Sequence, residues 1–189
     1  MPLLSVADPL PHRPRRVLVA GTSGAGKTTV AARLGRLWQL PHVEIDALFH
    51  GAGWVPRPEF EADVRAFAAQ DAWITEWQYP QVRALLAARA DLLVWLDLSR
   101  ARVTAQVVRR TASRRLRRTG LWNGNVEPPL WTILSDPEHI VRWAWRTHTA
   151  TAERVAALQR QRPDLVVVRL TSRSAVQRWL AAQESAGTR

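Results

Sequence analysis

The chain has 189 residues, with 27 Lys and Arg against 16 Asp and Glu, and no Cys. That length suits one domain at roughly 100–200 residues each, and the missing Cys excludes disulfides, iron–sulfur clusters and thiolate zinc sites. The net charge of +11 admits phosphate-bearing partners, nucleotide or nucleic acid, without separating the two.

Residues 1–15, with Pro2, Pro9, Pro11 and Pro14, are expected to form a disordered arm without the apolar core of a secretory signal. From residue 16 to 183 short β-branched runs alternate with helical periodicity, the pattern of a single α/β domain with a buried parallel sheet. The first strand is Val17–Ala20, followed by a glycine-rich turn and a helix over Lys27–Trp38. A second strand is expected over His42–Asp46, then a loop over residues 47–57. Pro58 and Glu59 suit the start of a helix whose buried stripe is Phe60, Val64 and Phe67. Ala72–Glu76 reads as the third strand, Pro80–Arg89 as a helix and Leu92–Asp97 as the fourth strand. Ala101–Arg118 is a strongly basic helix, and a lid is expected over about residues 109–142. A helix over Ile140–Gln161, a fifth strand over Leu165–Leu170 and a helix over Ser174–Gln183 close the domain, leaving residues 184–189 as a flexible tail. The longest clean apolar run, Leu92–Leu96, is far too short to span a bilayer. A cytoplasmic, monomeric or weakly dimeric protein without membrane partners is expected.

Gly21-Thr22-Ser23-Gly24-Ala25-Gly26-Lys27-Thr28 matches G-x-x-x-x-G-K-[ST] at every fixed position, between a strand and an amphipathic helix. The glycines let backbone N–H groups wrap a polyphosphate, and the helix N-terminus adds partial positive charge. Lys27, the only lysine of the chain, reaches the β- and γ-phosphates, and the Thr28 hydroxyl, with Thr29 beside it, is placed to hold Mg²⁺. The expected ligands are therefore ATP and Mg²⁺. A GTPase is excluded by the missing N-K-x-D motif, and ABC and AAA+ machines by missing signatures and length. A small kinase with a basic lid remains.

The P-loop, followed by Val43-Glu44-Ile45-Asp46, Trp54-Val55-Pro56, Trp73-Ile74-Thr75-Glu76, Val94-Trp95-Leu96-Asp97, Leu121-Trp122-Asn123-Gly124-Asn125 and Val176-Gln177-Arg178-Trp179-Leu180, resembles the adenylate-kinase-related P-loop proteins. These are often labelled AAA-family ATPases or DNA topology modulation proteins. The resemblance covers roughly residues 16–182 and implies a three-layer fold like that of nucleoside-monophosphate kinases, with five parallel strands in the order 2-3-1-4-5. The family has an acidic residue followed by Gly-Asn-Tyr after its third strand, where this chain has Glu76-Trp77-Gln78-Tyr79.

Candidate residues follow. Asp46 is expected at the carboxyl end of the second strand, where such sheets open their ligand crevice, to orient an acceptor hydroxyl or a magnesium-bound water. Glu76 is expected to hold Mg²⁺ through water, with Asp97 as the competing carboxylate. Eight arginines between Arg100 and Arg118 lie in a stretch without acidic residues from Leu98 to Val126, a concentration of like charge that suits phosphate. The resemblance favours Arg109 and Arg110 among them as catalytic, and Arg142 and Arg146 share a face beyond the lid. Arg57 and Arg83 are placed on the acceptor side. Trp54, Trp77 and Trp122 lie in expected loops where a ring can stack on a base. The resemblance places Thr171 and Ser172 against the adenine. The expected activity is transfer of the γ-phosphoryl of Mg·ATP to a small acceptor, with nucleotides and nucleosides among the candidates; the alternative is a nucleic-acid-associated or regulatory ATPase.

Overall fold

A computed structural model describes residues 3–116 and 148–187. Its strands are β1 (Leu3–Leu4), β2 (Arg16–Gly21), β3 (His42–Val43), β4 (Trp73–Glu76), β5 (Leu92–Leu96) and β6 (Val166–Leu170). Its helices are α1 (Lys27–Trp38), α2 (Ile45–Phe49), α3 (Phe60–Ala68), α4 (Pro80–Arg89), α5 (Arg100–Leu116), α6 (His148–Gln161) and α7 (Arg173–Gly187). All strands pair in parallel, in the order β1-β6-β5-β2-β4-β3.

The inner strands are apolar on both faces, as a sheet covered by helices on both sides requires. Val17, Val19, Ile74, Val94 and Val168 pack one face against α1, α5 and α7, through Leu34, Val103, Val107 and Trp179. Leu18, Ala20, Leu93 and Val167 pack the other against α3, α4 and α6, through Val64, Leu86 and Val155. The sheet is therefore the middle of three layers.

Apart from α7 running on to Gly187 through most of the expected flexible tail, two expectations are corrected. The sheet has six strands rather than five, so its full order differs from 2-3-1-4-5. The sixth comes from the segment expected to be a disordered arm. Leu3 and Leu4 pair with Val167 and Val168, which satisfies an otherwise open edge, and Leu4, Val6 and Leu10 pack against the core. The second correction concerns the strand expected over His42–Asp46. Only His42 and Val43 pair with β4, and the chain turns into α2 at Ile45. The expected lid from residue 117 onward, with Trp122, lies outside the described residues, as do Arg142, Arg146 and the side chain of Arg110.

Among the described residues, no helix is long and apolar enough to cross a membrane.

Candidate active site

β2 delivers the chain at Gly21 to the carboxyl edge of the sheet, where the loop 21–26 turns into α1. The loop is closed by the Ala25 amide on the Thr22 carbonyl at 3.0 Å. Gly24 (φ +83°) and Gly26 (φ +93°) adopt backbone conformations that side chains disfavour. At Gly24 there is also no room, because a Cβ there would lie 2.2 Å from Val107 Cγ2 of α5. The arginine-rich helix thus seats directly on the phosphate loop through Val103 and Val107 while Arg102 and Arg109 stay exposed. Lys27 Nζ donates to the Thr22 carbonyl at 3.4 Å, within the loop's own hollow. Lys27 and Thr28 open the first turn of α1 and are both partly exposed, with Thr29 exposed beside them. A rim of amides with one ammonium and one hydroxyl is a donor set suited to a polyphosphate and its Mg²⁺.

The strands around this loop put two further segments on the same edge. Leu96 pairs with Gly21 and with Leu170, so Asp97, Thr171 and Ser172 follow at the level of the loop. Ser172 Oγ accepts from the Ala175 amide at 3.1 Å and so caps α7. Asp97 Oδ2 accepts from Arg169 Nε at 2.8 Å and Nη2 at 2.5 Å, and the Arg169 guanidinium also sits 4.8 Å from the Trp95 ring centroid.

On the other side of β2 lies a denser cluster. Asp46, in the first turn of α2, accepts from the Tyr79 hydroxyl at 2.6 Å and from Gln78 Nε2. His50 Nε2 lies 3.2 Å from the same hydroxyl. The Tyr79 ring stacks on Phe49 at 4.1 Å, and Phe60 closes on both edge-on. Burial, then the Asp46 charge and its hydrogen bond, push the Tyr79 phenol well above its ordinary value, so it serves as a donor throughout the physiological range. Burial draws His50 below the ordinary histidine value against the opposing Asp46 charge, which favours a neutral ring. Tyr79 reaches this position through a left-handed backbone (φ +60°) just before Pro80. That is a strained conformation for an aromatic residue, of the kind that collects at functional sites.

Glu76 ends β4 and is buried (1% exposed). Its Oε1 lies 3.2 Å from His42 Nε2, and its Oε2 accepts from the Ile45 amide at 3.1 Å. Burial raises its pKa, but the His42 and Ile45 hydrogen bonds and the His42 charge outweigh that and hold it below the ordinary glutamate value.

The expected acceptor-side arginines differ in their surroundings. Arg57 is committed locally, to Asp63 at 3.0 Å, Glu59 at 3.9 Å and the Leu48 carbonyl at 3.2 Å, and so ties the 49–57 turn to α3. Arg83 lies one helical turn beyond Tyr79. Its carbonyl accepts from Trp77 Nε1 at 3.1 Å, and its Nε is buried without a hydrogen-bond partner. Burial, then repulsion from Arg154 on α6, pull it below the ordinary arginine value.

The structure thus gathers Lys27, Thr28, Asp97, Thr171 and Ser172 on the carboxyl edge, with Asp46, Glu76 and Arg83 flanking β2. Sequence reasoning missed the parts played by His42, His50, Gln78 and Tyr79. A tyrosine immediately before a proline was the one local signal.

No family model matches the chain. Among solved structures, a gluconokinase from Sinorhizobium meliloti 1021 superposes with a TM-score of 0.52 at 18% identity, covering 94% of this chain and 95% of that one. Shikimate kinase from Acinetobacter baumannii, solved in complex with shikimate, superposes with a TM-score of 0.51 at 13% identity, covering 89% of each chain. The class that fold and motif define is therefore the P-loop kinase fold, shared with small-molecule kinases over nearly the whole chain.

Proposed function

We propose that this protein is an ATP-dependent kinase that moves the γ-phosphoryl group of Mg·ATP to a hydroxyl of a small acceptor. The observation carrying this reading is a complete phosphate loop at the end of β2 on the same edge of the sheet as an aspartate, Asp46, that Gln78 and Tyr79 brace from the turn after β4. In this reading Lys27 and the loop amides hold the β- and γ-phosphates, and the Thr28 hydroxyl holds the Mg²⁺ that accompanies ATP. Asp46 orients the acceptor hydroxyl and takes its proton as the oxygen attacks the γ-phosphorus and ADP departs. Arg109 and Arg110 on α5, with Arg142 and Arg146 beyond the described residues, neutralise the transferring group. Thr171 and Ser172 border the adenine.

The acceptor class proposed is a small hydroxylated carboxylate, in place of the nucleotide or nucleoside expected from the sequence. One similar structure is named a gluconokinase and the other was solved with shikimate; gluconate and shikimate are both hydroxylated carboxylates. Within this chain, Arg154 repels the half-buried Arg83 guanidinium, and among the described residues no acid pairs with it, an environment that gains from an anion. The polar and aromatic cluster of Asp46, His50, Tyr79 and Trp54 offers the hydroxyl, carboxylate and ring faces that a compact polyol takes.

A coupled ADP-release screen tests this with aldonates, shikimate-like hydroxy acids, neutral sugars, nucleosides and nucleoside monophosphates. Turnover with hydroxy acids is expected. Turnover confined to nucleotides would restore the adenylate-kinase-like acceptor. DNA-stimulated ATPase activity, with DNA affinity falling steeply with salt, would favour the nucleic-acid-associated alternative.

A further inference from the structure

Three side-chain contacts join β4 to the β3–α2 turn. Thr75 Oγ1 donates to the Val43 carbonyl at 2.7 Å, Glu76 Oε1 meets His42 Nε2 at 3.2 Å, and Glu76 Oε2 accepts the Ile45 amide at 3.1 Å. Two more follow immediately, from Gln78 and Tyr79 to Asp46. Four of the five residues 75–79, Thr75, Glu76, Gln78 and Tyr79, therefore grip both the entrance of α2 and the carboxylate it carries. Glu76 occupies the key place in this grip. The N-cap residue Glu44 makes no side-chain bond to the helix, so the Glu76 carboxylate does what a cap would do. Ile45 itself is fully buried, and its amide would otherwise lack a partner away from water.

The carboxylate is engaged on both oxygens. Register sets it opposite Val19, two residues short of Gly21 where the phosphate loop begins. Asp97, by contrast, follows a residue paired with Gly21 itself. Glu76 is thus turned toward the acceptor turn.

We propose that Glu76 is a positioning residue: it fixes the start of α2, and through it Asp46, rather than holding a magnesium-bound water. This rests on the proposed kinase reading for its kinetic consequence, but not for its structural one. Removing the carboxylate frees the Ile45 amide and lets the first turn of α2 open, so Asp46 loses its alignment while the phosphate loop, one strand away, keeps its geometry.

The test compares Glu76→Ala with Glu76→Gln in the full chain. Glutamine still offers one oxygen to the Ile45 amide, and its NH₂ can donate to His42 Nε2. Amide hydrogen exchange over residues 44–50 should accelerate about tenfold or more in Glu76→Ala, the scale of one lost charge-assisted hydrogen bond. Exchange in β2 should not change, and Glu76→Gln should recover most of the protection. Unchanged exchange over 44–50 in Glu76→Ala would overturn the proposal whether or not the protein is a kinase. With an active acceptor in hand, Glu76→Ala should raise the acceptor KM about tenfold and leave the Mg²⁺ concentration for half-maximal rate within about twofold. A Mg²⁺ requirement raised tenfold in Glu76→Gln, with acceptor KM unchanged, would return Glu76 to the metal and overturn the assignment. Absence of phosphoryl transfer by the parent protein with every acceptor would remove the kinase reading and leave the exchange result to decide the positioning role alone. Should Glu76→Ala fail to fold, Glu76→Asp, whose shorter side chain withdraws the carboxylate from the Ile45 amide, should still accelerate exchange over 44–50, and unchanged exchange there would overturn the proposal.

Discussion

The two sides of β2 are built on different principles. The side proposed for the nucleotide is mostly backbone: a glycine loop, a helix start and one lysine, with α5 seated so closely that Gly24 has no room for a Cβ. The side proposed for the acceptor is mostly side chains: Asp46, His50, Tyr79 and Gln78 linked by hydrogen bonds, with the Tyr79 ring packed on Phe49 and Phe60. A backbone cradle depends on a few residue types in strict, contiguous spacing. A side-chain cluster depends on residues far apart in sequence, each held in place by a neighbour. The first kind of site tolerates almost no substitution within its motif. The second degrades by steps, according to which brace is removed.

The largest break in the comparison comes from the cradle. Lys27→Ala should lower phosphoryl transfer by about 10³-fold, the upper scale for removing one donor to a charged transition state, and should weaken ATP binding measured by calorimetry. No other lysine exists to substitute, and an arginine differs in shape and hydration. Normal turnover in this variant would defeat the kinase reading at its centre. Gly24→Ala attacks the same cradle through space. Its Cβ meets Val107 at 2.2 Å in a left-handed backbone (φ +83°), and strain plus overpacking should cost about 2–4 kcal/mol in denaturant unfolding.

On the acceptor side, Asp46→Asn should lower kcat by about 10²-fold, the lower end for a general base, because proton transfer matters less in a loose phosphoryl-transfer transition state. ATP affinity should hold within about twofold. An equal loss of ATP affinity would mean that the two sides of β2 are not separate.

This division also explains what could be read from the sequence. The loop 21–28 is contiguous, so its chemistry was legible residue by residue. The alternation of strands and helices gave the layered parallel sheet. The second strand was read too long because Val43-Glu44-Ile45-Asp46 carries strand-like residues. What ends the strand is a carboxylate 31 positions away in sequence, Glu76 on the Ile45 amide, and such a contact leaves no local trace. Leu3 and Leu4 were read as part of a disordered arm for a related reason. Their partner is the free edge of β6, which exists only once the sheet has formed. Asp46 and Arg83 are candidates by their position on expected elements, whereas the Tyr79 contact depends on a backbone twist at φ +60° that residue type does not announce.

Tyr79→Phe sharpens the comparison further. It removes one of the two side-chain donors to Asp46 and leaves Gln78 in place. A hydrogen bond to a charged group contributes about 1.5–3 kcal/mol, so kcat/KM for the acceptor should fall about tenfold. The stacking on Phe49 survives in phenylalanine, and ATP binding should not change. If the loss appeared instead in ATP affinity, the tyrosine would belong to the nucleotide side.

The smallest effect is expected at Asp97, and it is the most discriminating. By register Asp97 stands closer to the phosphate loop than Glu76 does, since Leu96 pairs with Gly21 while Glu76 pairs with Val19. Position alone would make it the metal's carboxylate. Its surroundings argue otherwise. One of its oxygens takes two donors from Arg169, at 2.8 and 2.5 Å, and the arginine is anchored over Trp95 at 4.8 Å. The backbone amide of Asp97 is used as well, on the Leu170 carbonyl at 2.9 Å. This is a partly exposed ion pair joining β5 to β6, and such pairs contribute about 0–1 kcal/mol. Asp97→Asn keeps one acceptor oxygen for Arg169 and should lower Tm by no more than about 2–4 °C, with kcat within about twofold and the Mg²⁺ titration unmoved. Arg169→Gln should reproduce the same small shift, and the double variant should show less than the sum, as expected for contacting residues. A fall of about 10²-fold in kcat with a raised Mg²⁺ requirement in Asp97→Asn, absent in Arg169→Gln, would mean that the ion pair holds a metal-directed carboxylate ready beside the loop, and that the nucleotide side is built from side chains too.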